Sequence, residues 1–239
     1  MAASLLFPED VIQIIEDCAN WADRLTRADL AAGLLVSEND YTSNFTSALR
    51  REIHARNIPG LRARIQVLFP LAERSNGADG CIILSNTSEF KVGLFEAKWP
   101  RLSAHTNAWD SIQRSSRVSH FDDQLARQKF AAKTAAVWEM FYSEYEPSLQ
   151  PDFMPNDGSA CVWHDDAIAA SGLRNQSKPW TDVELEELLR GKSQTVGQVV
   201  RDICECKRGK PIPEGDYAQV LSNFAPPAMA VVVTYQGRI

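Results

Sequence analysis

The feature that most constrains the fold of this chain is a pair of short apolar segments, at residues 81–84 and 92–95, with a polar stretch between them. Segments of this length, bounded by turn-forming Ser, Asn and Thr, are typical of the two strands of an antiparallel hairpin. Apolar side chains occupy both faces of each segment, as in central strands that are covered on both sides. The sequence therefore predicts a buried hairpin, where charged side chains cost free energy.

Three charged residues nevertheless lie at one end of this hairpin: Asp79, Glu96 and Lys98. If the turn is centred between Thr87 and Ser88, Asp79 lies directly across from Glu96. Because side chains alternate along a strand, Lys98 shares the face of Glu96. The pattern therefore predicts that two carboxylates and one ammonium group converge.

The chain contains three acid-x-Lys triplets, at residues 89–91, 96–98 and 205–207, so the triplet alone is weak support. Residues 89–91 lie near the predicted turn, over about 20 Å from Asp79 at roughly 3.3 Å per residue, and are expected to be solvated. Residues 205–207 lie in a helical pattern, where side chains two apart diverge by about 200° and cannot converge. The pairing therefore selects residues 96–98.

The convergent carboxylates indicate a cation site, because opposed carboxylates repel each other unless a cation neutralises them. Hard oxygen ligands without histidine favour Mg²⁺ or Mn²⁺ over zinc. The competing interpretation is that Asp79 and Glu96 are strand-end charges that reach water, with Lys98 at the exposed end of an edge strand. A rival metal cluster at residues 164–166, His-Asp-Asp, lacks a second group of ligands.

The segments at residues 77–80, Gly-Ala-Asp-Gly, and 95–98, Phe-Glu-Ala-Lys, resemble the motif of the PD-(D/E)xK nucleases. Ala78 stands where that family has its name-giving proline. The resemblance covers roughly residues 36–165. It implies an α/β fold with a restriction-endonuclease-like core, in which a central mixed β-sheet is flanked by helices on both faces.

The resemblance also implies roles for four residues. Asp79 and Glu96, helped by the backbone carbonyl of Ala97, would bind Mg²⁺, with Mn²⁺ as a substitute. Lys98 would position and polarise the attacking water. These assignments imply hydrolysis of phosphodiester bonds.

The same family places an acidic residue on a helix upstream of the Asp strand, and residues 36–57 predict such a helix with Ser37 as N-cap. One apolar stripe is formed by Tyr41, Phe45, Leu49 and Ile53. Glu38 falls within this stripe, Glu52 lies near its edge, and Asp40 projects to the opposite side. Glu38 is therefore the predicted additional metal or metal-water contact, with Glu52 second, although an acid in a first turn is favourable on any helix.

A second helix is predicted from Ser119 along a run that reaches Tyr142. Gln124 and Gln128 lie on one face of it. Some branches of the family carry a Gln-xxx-Tyr element on the helix after the Lys strand, but this chain has Gln128 in place of the Tyr. The resemblance therefore implies a catalytic role only for Gln124. The alternative interpretation is that Gln124 is an ordinary solvated glutamine.

The chain is expected to form a single domain over residues 1–239, with an N-terminal helical segment (1–35), a nuclease-like core (36–165) and C-terminal helices and a strand packed on the core (166–239). Hydrophobic patterning predicts further strands at residues 62–69, 160–163 and 228–234, a loop at 147–158, and helices at 181–190 and 196–206.

A net charge of −6 is unfavourable for binding DNA, but the distribution of the charge matters more than its sum. Residues 47–74 carry a net charge of +4, and residues 98–133 carry +4. These basic segments flank the predicted site and suit contact with a phosphate backbone, although they are also consistent with solvated helix faces. DNA is therefore the expected partner.

The remaining expectations follow from composition. The chain has no apolar run long enough to span a membrane and no signal-peptide pattern, and its five cysteines show no disulfide framework, which predicts a cytoplasmic protein. A homodimer is expected if two strands are cut, and an activating ligand or partner protein remains compatible with the sequence. The alternative function is a catalytically silent nucleic-acid-binding or regulatory subunit with a nuclease-like fold.

Overall fold

Helices and strands are interspersed along the chain, as in α/β proteins. The structure, a computed structural model, describes residues 5–68, 78–213 and 229–237. The helices in these residues are α1 (Glu9–Ala31), α2 (Glu38–Ala55), α3 (His120–Gln128), α4 (His164–Ser171), α5 (Asp182–Leu189) and α6 (Val196–Cys204). The strands are β1 (Leu61–Val67), β2 (Gly80–Ser85), β3 (Glu89–Lys98), β4 (Ala136–Phe141), β5 (Ala160–Trp163), β6 (Ile212–Pro213) and β7 (Met229–Tyr235).

The predicted hairpin is formed by β2 and β3, and its register is the predicted one. Gly80 pairs with Phe95 and Ile82 with Gly93 in an antiparallel ladder. Gly80 is required here, because a Cβ atom at this position would lie 2.0 Å from the Cζ atom of Phe95. The close approach of this ring to the backbone fixes the start of β2, and with it the position of Asp79.

The seven strands form one mixed, open sheet in the order β1-β7-β2-β3-β4-β5, with the short β6 paired to β3. β2 is antiparallel to β3 and parallel to β7, and β3 is parallel to β4. β1 and β5 are each antiparallel to their neighbour. The predicted α/β class with a mixed sheet is therefore confirmed.

One face of the sheet is covered by α1, α2 and α6. The predicted stripe of α2 is confirmed, because its residues are all buried in this layer: Tyr41, Phe45, Leu49 and Ile53. The ring of Phe45 meets Phe95 of β3 edge-on, with centroids 5.8 Å apart. Such aromatic pairs stabilise the fold beyond the apolar area they bury. This contact places the N-terminal turn of α2 near the end of the hairpin.

The opposite face of the sheet is covered by α3, α4 and α5 near β4 and β5. Phe121 of α3 meets Phe141 of β4, with ring centroids 5.7 Å apart, and Trp180, with centroids 5.2 Å apart. Leu185 and Leu188 of α5 are buried in the same cluster. Helices therefore lie on both faces of the sheet, as predicted.

The prediction of one long helix from residue 119 to residue 142 was wrong. Its start is confirmed, because Ser119 caps α3 and accepts a hydrogen bond from the Asp122 N–H. The helix ends at Gln128, and β4 follows as an interior strand. β4 is buried along its whole length, and its sequence is apolar except for Glu139, a pattern that periodicity cannot distinguish from a buried helix.

Two expectations about the other acid-x-Lys triplets were also wrong, namely that Lys91 is solvated and that Glu205 and Lys207 diverge, whereas residues 89–91 do lie near the turn as predicted. Lys91 is fully buried rather than solvated, because α6 packs over β3 and the Ile203 carbonyl accepts a 2.8 Å hydrogen bond from Lys91 Nζ. Glu205 and Lys207 form an ion pair, since α6 ends at Cys204 and the chain turns there. Both triplets nevertheless make these contacts around the end of α6, away from Asp79.

The other predicted elements correspond to β1, β5, β7, α5 and α6, and the N-terminal segment is a single helix, α1. The predicted strand ends at residues 69 and 228 lie outside the described residues. The predicted loop at residues 147–158 contains one short 3₁₀ turn, Pro147–Leu149. α4 was not predicted. It begins directly after β5. Its N-cap residue is Trp163, which makes no side-chain capping hydrogen bond, so the sequence lacks the usual polar residue that indicates a helix start.

Candidate active site

Asp79 lies at the end of the hairpin and contacts β3 through two hydrogen bonds. Its N–H donates to the Phe95 carbonyl at 2.8 Å, and its Oδ2 atom accepts from the Ala97 N–H at 2.9 Å. The carboxylate of Asp79 is therefore fixed against the backbone of β3, beside the side chains of Glu96 and Lys98. Gly77 and Arg74, which precede it, lie outside the described residues.

Glu96 and Lys98 lie on the same face of β3 and form a buried ion pair. Lys98 Nζ is 2.7 Å from Glu96 Oε1, and the two residues are 7 % and 2 % exposed, respectively. Phe95 and Ala97 point to the opposite face, into the α1–α2 layer. Two charges buried in this way lose much of their hydration, so the pair is a weak source of stability and indicates a functional role.

Gln124 reaches the same carboxylate from α3. Its Nε2 atom donates to Glu96 Oε1 at 2.6 Å. The cap at Ser119 sets the start of α3, and Phe121 and Leu125 bury one side of the helix against the sheet. The structure therefore brings Gln124 to the predicted site.

Glu38, the first residue of α2, also lies at the site. Its Oε1 atom accepts a 2.8 Å hydrogen bond from the Trp99 N–H, directly after Lys98. Glu52, the second choice, is not at the site, because it pairs with Arg56 at 3.3 Å on the far part of the helix. Asp40 points away, as predicted, and accepts from the Val36 N–H.

The sequence analysis missed a third buried carboxylate, Glu139 of β4. It is the direct neighbour of Glu96 in the parallel β3–β4 ladder and is 0 % exposed. Its Oε1 atom lies 3.4 Å from His164 Nδ1, and its Oε2 atom has no hydrogen-bond partner in the described residues. An acid between two large apolar residues, Trp138 and Met140, could have indicated a buried carboxylate. It was missed because this segment was predicted to be helical.

Burial shifts the pKa values of the site in directions that favour a bound cation. Burial raises the pKa of Glu96 to about 8, assisted by the charges of Asp79 and Glu139 and opposed by Lys98. Burial also raises the pKa of Asp79, assisted by Glu38 and Glu139. In both cases the carboxylates are held in surroundings where negative charge is costly, and a divalent cation would relieve that cost.

The pKa of Lys98 changes in the other direction. Burial alone would lower it, but the carboxylates of Glu96, Glu38 and Asp79 outweigh burial and raise the pKa of Lys98 above its ordinary value. Lys98 is therefore protonated at neutral pH. It is available as a hydrogen-bond donor and positive charge, and not as a base.

The donor set fits a small hard cation. Glu96 Oε2 is buried and has no hydrogen-bond partner in the described part of the chain, so one carboxylate oxygen is left for a ligand. Among the described residues there is no group of three His, Cys, Asp or Glu side chains arranged to hold a metal. A site built on Asp79 and Glu96 would therefore complete its shell with main-chain oxygen and water, as Mg²⁺ usually does.

Two cavities open on the site from different sides. One, of about 230 Å³, is lined by Glu38, Lys98, His120 and Gln124. The other, of about 280 Å³, is lined by Asp79, Gly80 and polar residues of α2. Asp79 and Glu38 each line one of these cavities, whereas Glu96 is buried and lines neither of them.

The segment between β3 and α3 borders the first cavity, and its aromatic residues are tied into the fold. Trp99 Nε1 donates to Glu144 Oε2 at 2.8 Å, His105 Nε2 lies 2.8 Å from Asp182 Oδ1, and the Trp109 ring packs against Phe121. Each of these three side chains is therefore held by a contact within the fold.

The basic residues of the same segment are exposed. Arg101, Arg114 and Arg117 form no ion pair with any residue in the described ranges, and Arg101 stacks on the Trp99 ring at 4.5 Å. By contrast, Arg56 and Arg127 pair with acids of their own helices. Arg101 therefore lies next to Trp99, which lines the first cavity, and Arg114 and Arg117 are exposed on the same segment.

The rival cluster at residues 164–166 does not converge. His164 faces Glu139, whereas Asp165 pairs with Arg208 at 3.2 Å and Asp166 with Lys192 at 3.5 Å. The three side chains therefore have three different partners.

Within residues 5–68, 78–213 and 229–237, no helix combines the length and the apolar character needed to cross a membrane. Comparisons of the whole chain with protein-family models, curated proteins and solved structures found no significant match.

Proposed function

We propose that this chain is a Mg²⁺-dependent deoxyribonuclease with a restriction-endonuclease-like core. The observation that supports this most is the convergence of Asp79, Glu96 and Lys98 at one end of the β2–β3 hairpin, with Lys98 Nζ 2.7 Å from Glu96 Oε1. The site lies where strands from a mixed sheet end beside two helices. A purely structural role is disfavoured, because burying this pair costs free energy that an apolar pair would not.

Asp79 and Glu96 are the proposed metal ligands, with the Ala97 carbonyl as a third donor. Mg²⁺ in this position supplies neutralisation of charge on the scissile phosphate and a more acidic water. Glu38 faces the same site from α2 and holds the Trp99 N–H, so it orients the backbone after Lys98. Mn²⁺ has the same preference for oxygen ligands and is the expected substitute.

Lys98 is the proposed group that orients the attacking water and offsets negative charge on the phosphate in the transition state. Since its pKa is raised, it donates hydrogen bonds and does not abstract a proton. Gln124 shares Glu96 Oε1 with Lys98 and fixes the rotamer of that carboxylate. It is a positioning residue for Glu96.

DNA is the proposed substrate because of the exposed arginines on the segment that supplies lining residues of the first cavity. Arg101, Arg114 and Arg117 lie on the segment that leads from Lys98 to α3. Guanidinium groups bind phosphates in a bidentate manner and supply most of the non-specific affinity for nucleic acid. We propose an endonuclease acting in restriction, defence or repair, as a homodimer where both strands are cut.

One observation favours a second candidate, a catalytically silent nucleic-acid-binding or regulatory subunit. Glu96 Oε1 already accepts hydrogen bonds from both Lys98 and Gln124. A site whose carboxylate is satisfied by protein donors has less need of a metal. The two candidates differ in whether Mg²⁺ binds and whether phosphodiester bonds break.

The experiment that separates them is cleavage of supercoiled plasmid, linear duplex DNA and RNA by the full chain, with Mg²⁺ or with EDTA. The Asp79→Asn variant tests the site, and Asp29→Asn, a substitution on α1 away from the site, is the matched control. Cleavage that needs Mg²⁺ and Asp79 supports the nuclease. If wild type cuts none of the substrates and Mg²⁺ titration shows no difference between wild type and Asp79→Asn, the nuclease proposal is wrong, and DNA binding alone then supports the silent subunit.

A further inference from the structure

A further cavity, lined mainly by charged side chains of positive sign, lies at the other end of β4. It has a volume of about 220 Å³ and is bordered by residues 132–137 at the start of β4, by Trp163, His164 and Asp165, and by the turn at residues 207–210. The proposed active site is at the carboxyl end of the same strands, next to Lys98. The two sites are therefore distinct.

Among the described residues, four basic side chains and one acidic side chain border this cavity. The basic residues are Lys133, Lys207, Arg208 and Lys210, and the acid is Asp165. Asp165 pairs with Arg208 at 3.2 Å, which leaves a net positive lining.

The individual cations differ in how far they are neutralised. Lys207 is engaged by Asp202 and Glu205 outside the cavity. Lys133 and Lys210 form no ion pair with any side chain in the described ranges, and both are exposed. At least these two ammonium groups, together with the Arg208 guanidinium, are available to a ligand with more than one negative charge.

The backbone around the cavity is held in place. The Lys210 N–H donates to the Thr134 carbonyl at 2.8 Å, which fixes the turn against the start of β4. Gly209 has a φ of 68°, and a Cβ atom there would lie 3.0 Å from the Ala136 nitrogen. The turn therefore depends on glycine at this position, and the cationic side chains project from a defined frame.

The N-terminus of α4 faces the same region. Its N-cap residue, Trp163, makes no side-chain capping hydrogen bond, so the positive end of the helix dipole is not satisfied by a cap. His164, which borders the cavity, is 3 % exposed, and its Nε2 atom has no hydrogen-bond partner in the described part of the chain. Because this atom is itself buried, the contacts that the cavity offers to a ligand come from its exposed cationic side chains.

We propose that this cavity binds a small phosphate monoester dianion through Arg208, Lys133 and Lys210. The cavity is below the roughly 300–1,000 Å³ of pockets for drug-sized ligands, so a compact anion fits it best. Arginine combined with lysines is the arrangement that binds phosphate through bidentate and point-charge contacts. Trp163 is buried and carries the Arg208 guanidinium on its ring, so it is not available to stack on a nucleobase. The ligand is therefore recognised by its phosphate group.

The test is titration of the metal-free full chain with inorganic phosphate and with glycerol phosphate, followed by isothermal calorimetry and ³¹P line broadening at constant ionic strength. The double variant Arg208→Gln/Lys210→Gln removes two pocket charges. The double variant Arg190→Gln/Lys178→Gln removes two charges from the surface outside the cavity and is the matched control. We expect saturable binding that the pocket variant weakens by about tenfold or more, since charge-assisted hydrogen bonds are lost. The control is expected to bind like wild type.

Absence of saturable binding at millimolar phosphate, or equal weakening in both double variants, would overturn the proposal. Stronger binding of glycerol phosphate than of inorganic phosphate indicates an esterified ligand, and the reverse overturns the monoester assignment. Thermal unfolding of both variants verifies that they are folded. No step of this test depends on metal or on DNA cleavage, so its failure is distinct from failure of the proposed nuclease function.

Discussion

Lys98 Nζ lies 2.7 Å from Glu96 Oε1, and the partner of Glu96 on the next strand is a second buried acid, Glu139. One ammonium group thus faces a site with more negative than positive charge. This imbalance raises the pKa of Lys98 and, together with burial, the pKa of Glu96. Lys98 is therefore expected to matter for chemistry more than for folding.

Replacing Lys98 with Met is expected to lower the rate of Mg²⁺-dependent plasmid cleavage by about 10²–10³-fold, the range seen when one transition-state donor is removed. Met keeps the length of the side chain in the buried position, so the fold is retained. The exposed Lys129 of the segment after α3 supplies the control, Lys129→Met, which should cleave at the wild-type rate. Equal cleavage by Lys98→Met and wild type would rule out the proposed role.

The stability of the metal-free protein is expected to fall as the pH rises through neutrality. The carboxyl of Glu96 has a pKa of about 8 in the folded chain against an ordinary value of 4.5. Between these values the folded state binds more protons than the unfolded state, so the free energy of unfolding decreases with increasing pH and levels off above about pH 8. Urea unfolding at several pH values with EDTA measures this slope.

The Glu96→Gln variant isolates the contribution of Glu96, because Gln does not titrate. Its free energy of unfolding should depend less on pH than that of wild type across the same window. Mg²⁺ should stabilise wild type more at pH 8 than at pH 6, since metal binding requires the deprotonated carboxylate. If the free energy of unfolding has the same pH dependence in both proteins, titration of Glu96 is not its cause.

Replacing Glu38 with Gln is expected to raise the Mg²⁺ concentration needed for half-maximal cleavage by about tenfold, the lower end of the effect of residues that orient metal ligands. Gln keeps an acceptor for the Trp99 N–H but removes the negative charge. Asp40→Asn, two residues further along α2 and directed away from the site, is the control. If the Mg²⁺ concentration for half-maximal cleavage rises as much in Asp40→Asn, the effect results from the lost charge near the helix dipole and not from a contact of Glu38 with the site.

The positions of Asp79, Glu96 and Lys98 could be predicted because a hairpin has few degrees of freedom. Once the turn is located, the pairing and the alternation of faces follow, and the observed partners of Gly80 and Phe95 have the predicted register. The stripe of α2 was predictable for the same reason, since helical phase depends only on local geometry.

The environment of Glu139 could not be predicted, because it depends on contacts distant in sequence. A six-residue run that is apolar except for one acid fits a strand or a buried helix equally well, and only the pairing of β4 with β3 and β5 decides between them. The burial of Lys91 could not be predicted for the same reason. Its burial results from α6, which follows more than a hundred residues later in the chain, and from the carbonyl of Ile203.

Replacing Asp23 with Ala is expected to lower the free energy of unfolding by about 2–4 kcal/mol, because three buried donor groups lose their acceptor. Asp23 of α1 is 2 % exposed and accepts hydrogen bonds from the Tyr41 hydroxyl at 2.8 Å, the Ser159 N–H at 2.6 Å and the Ser159 hydroxyl at 2.7 Å. Burial raises the pKa of Asp23, and these hydrogen bonds oppose the rise. Since Tyr41 lies one turn from Glu38 on α2 and stacks on Tyr142 at 3.7 Å, the network also supports the helix that carries Glu38.

Urea unfolding measures the loss of stability in Asp23→Ala. The control, Asp29→Ala, also on α1, should change the free energy of unfolding by less than about 0.5 kcal/mol. A loss for Asp23→Ala no larger than that of Asp29→Ala would show that the buried network does not stabilise the fold.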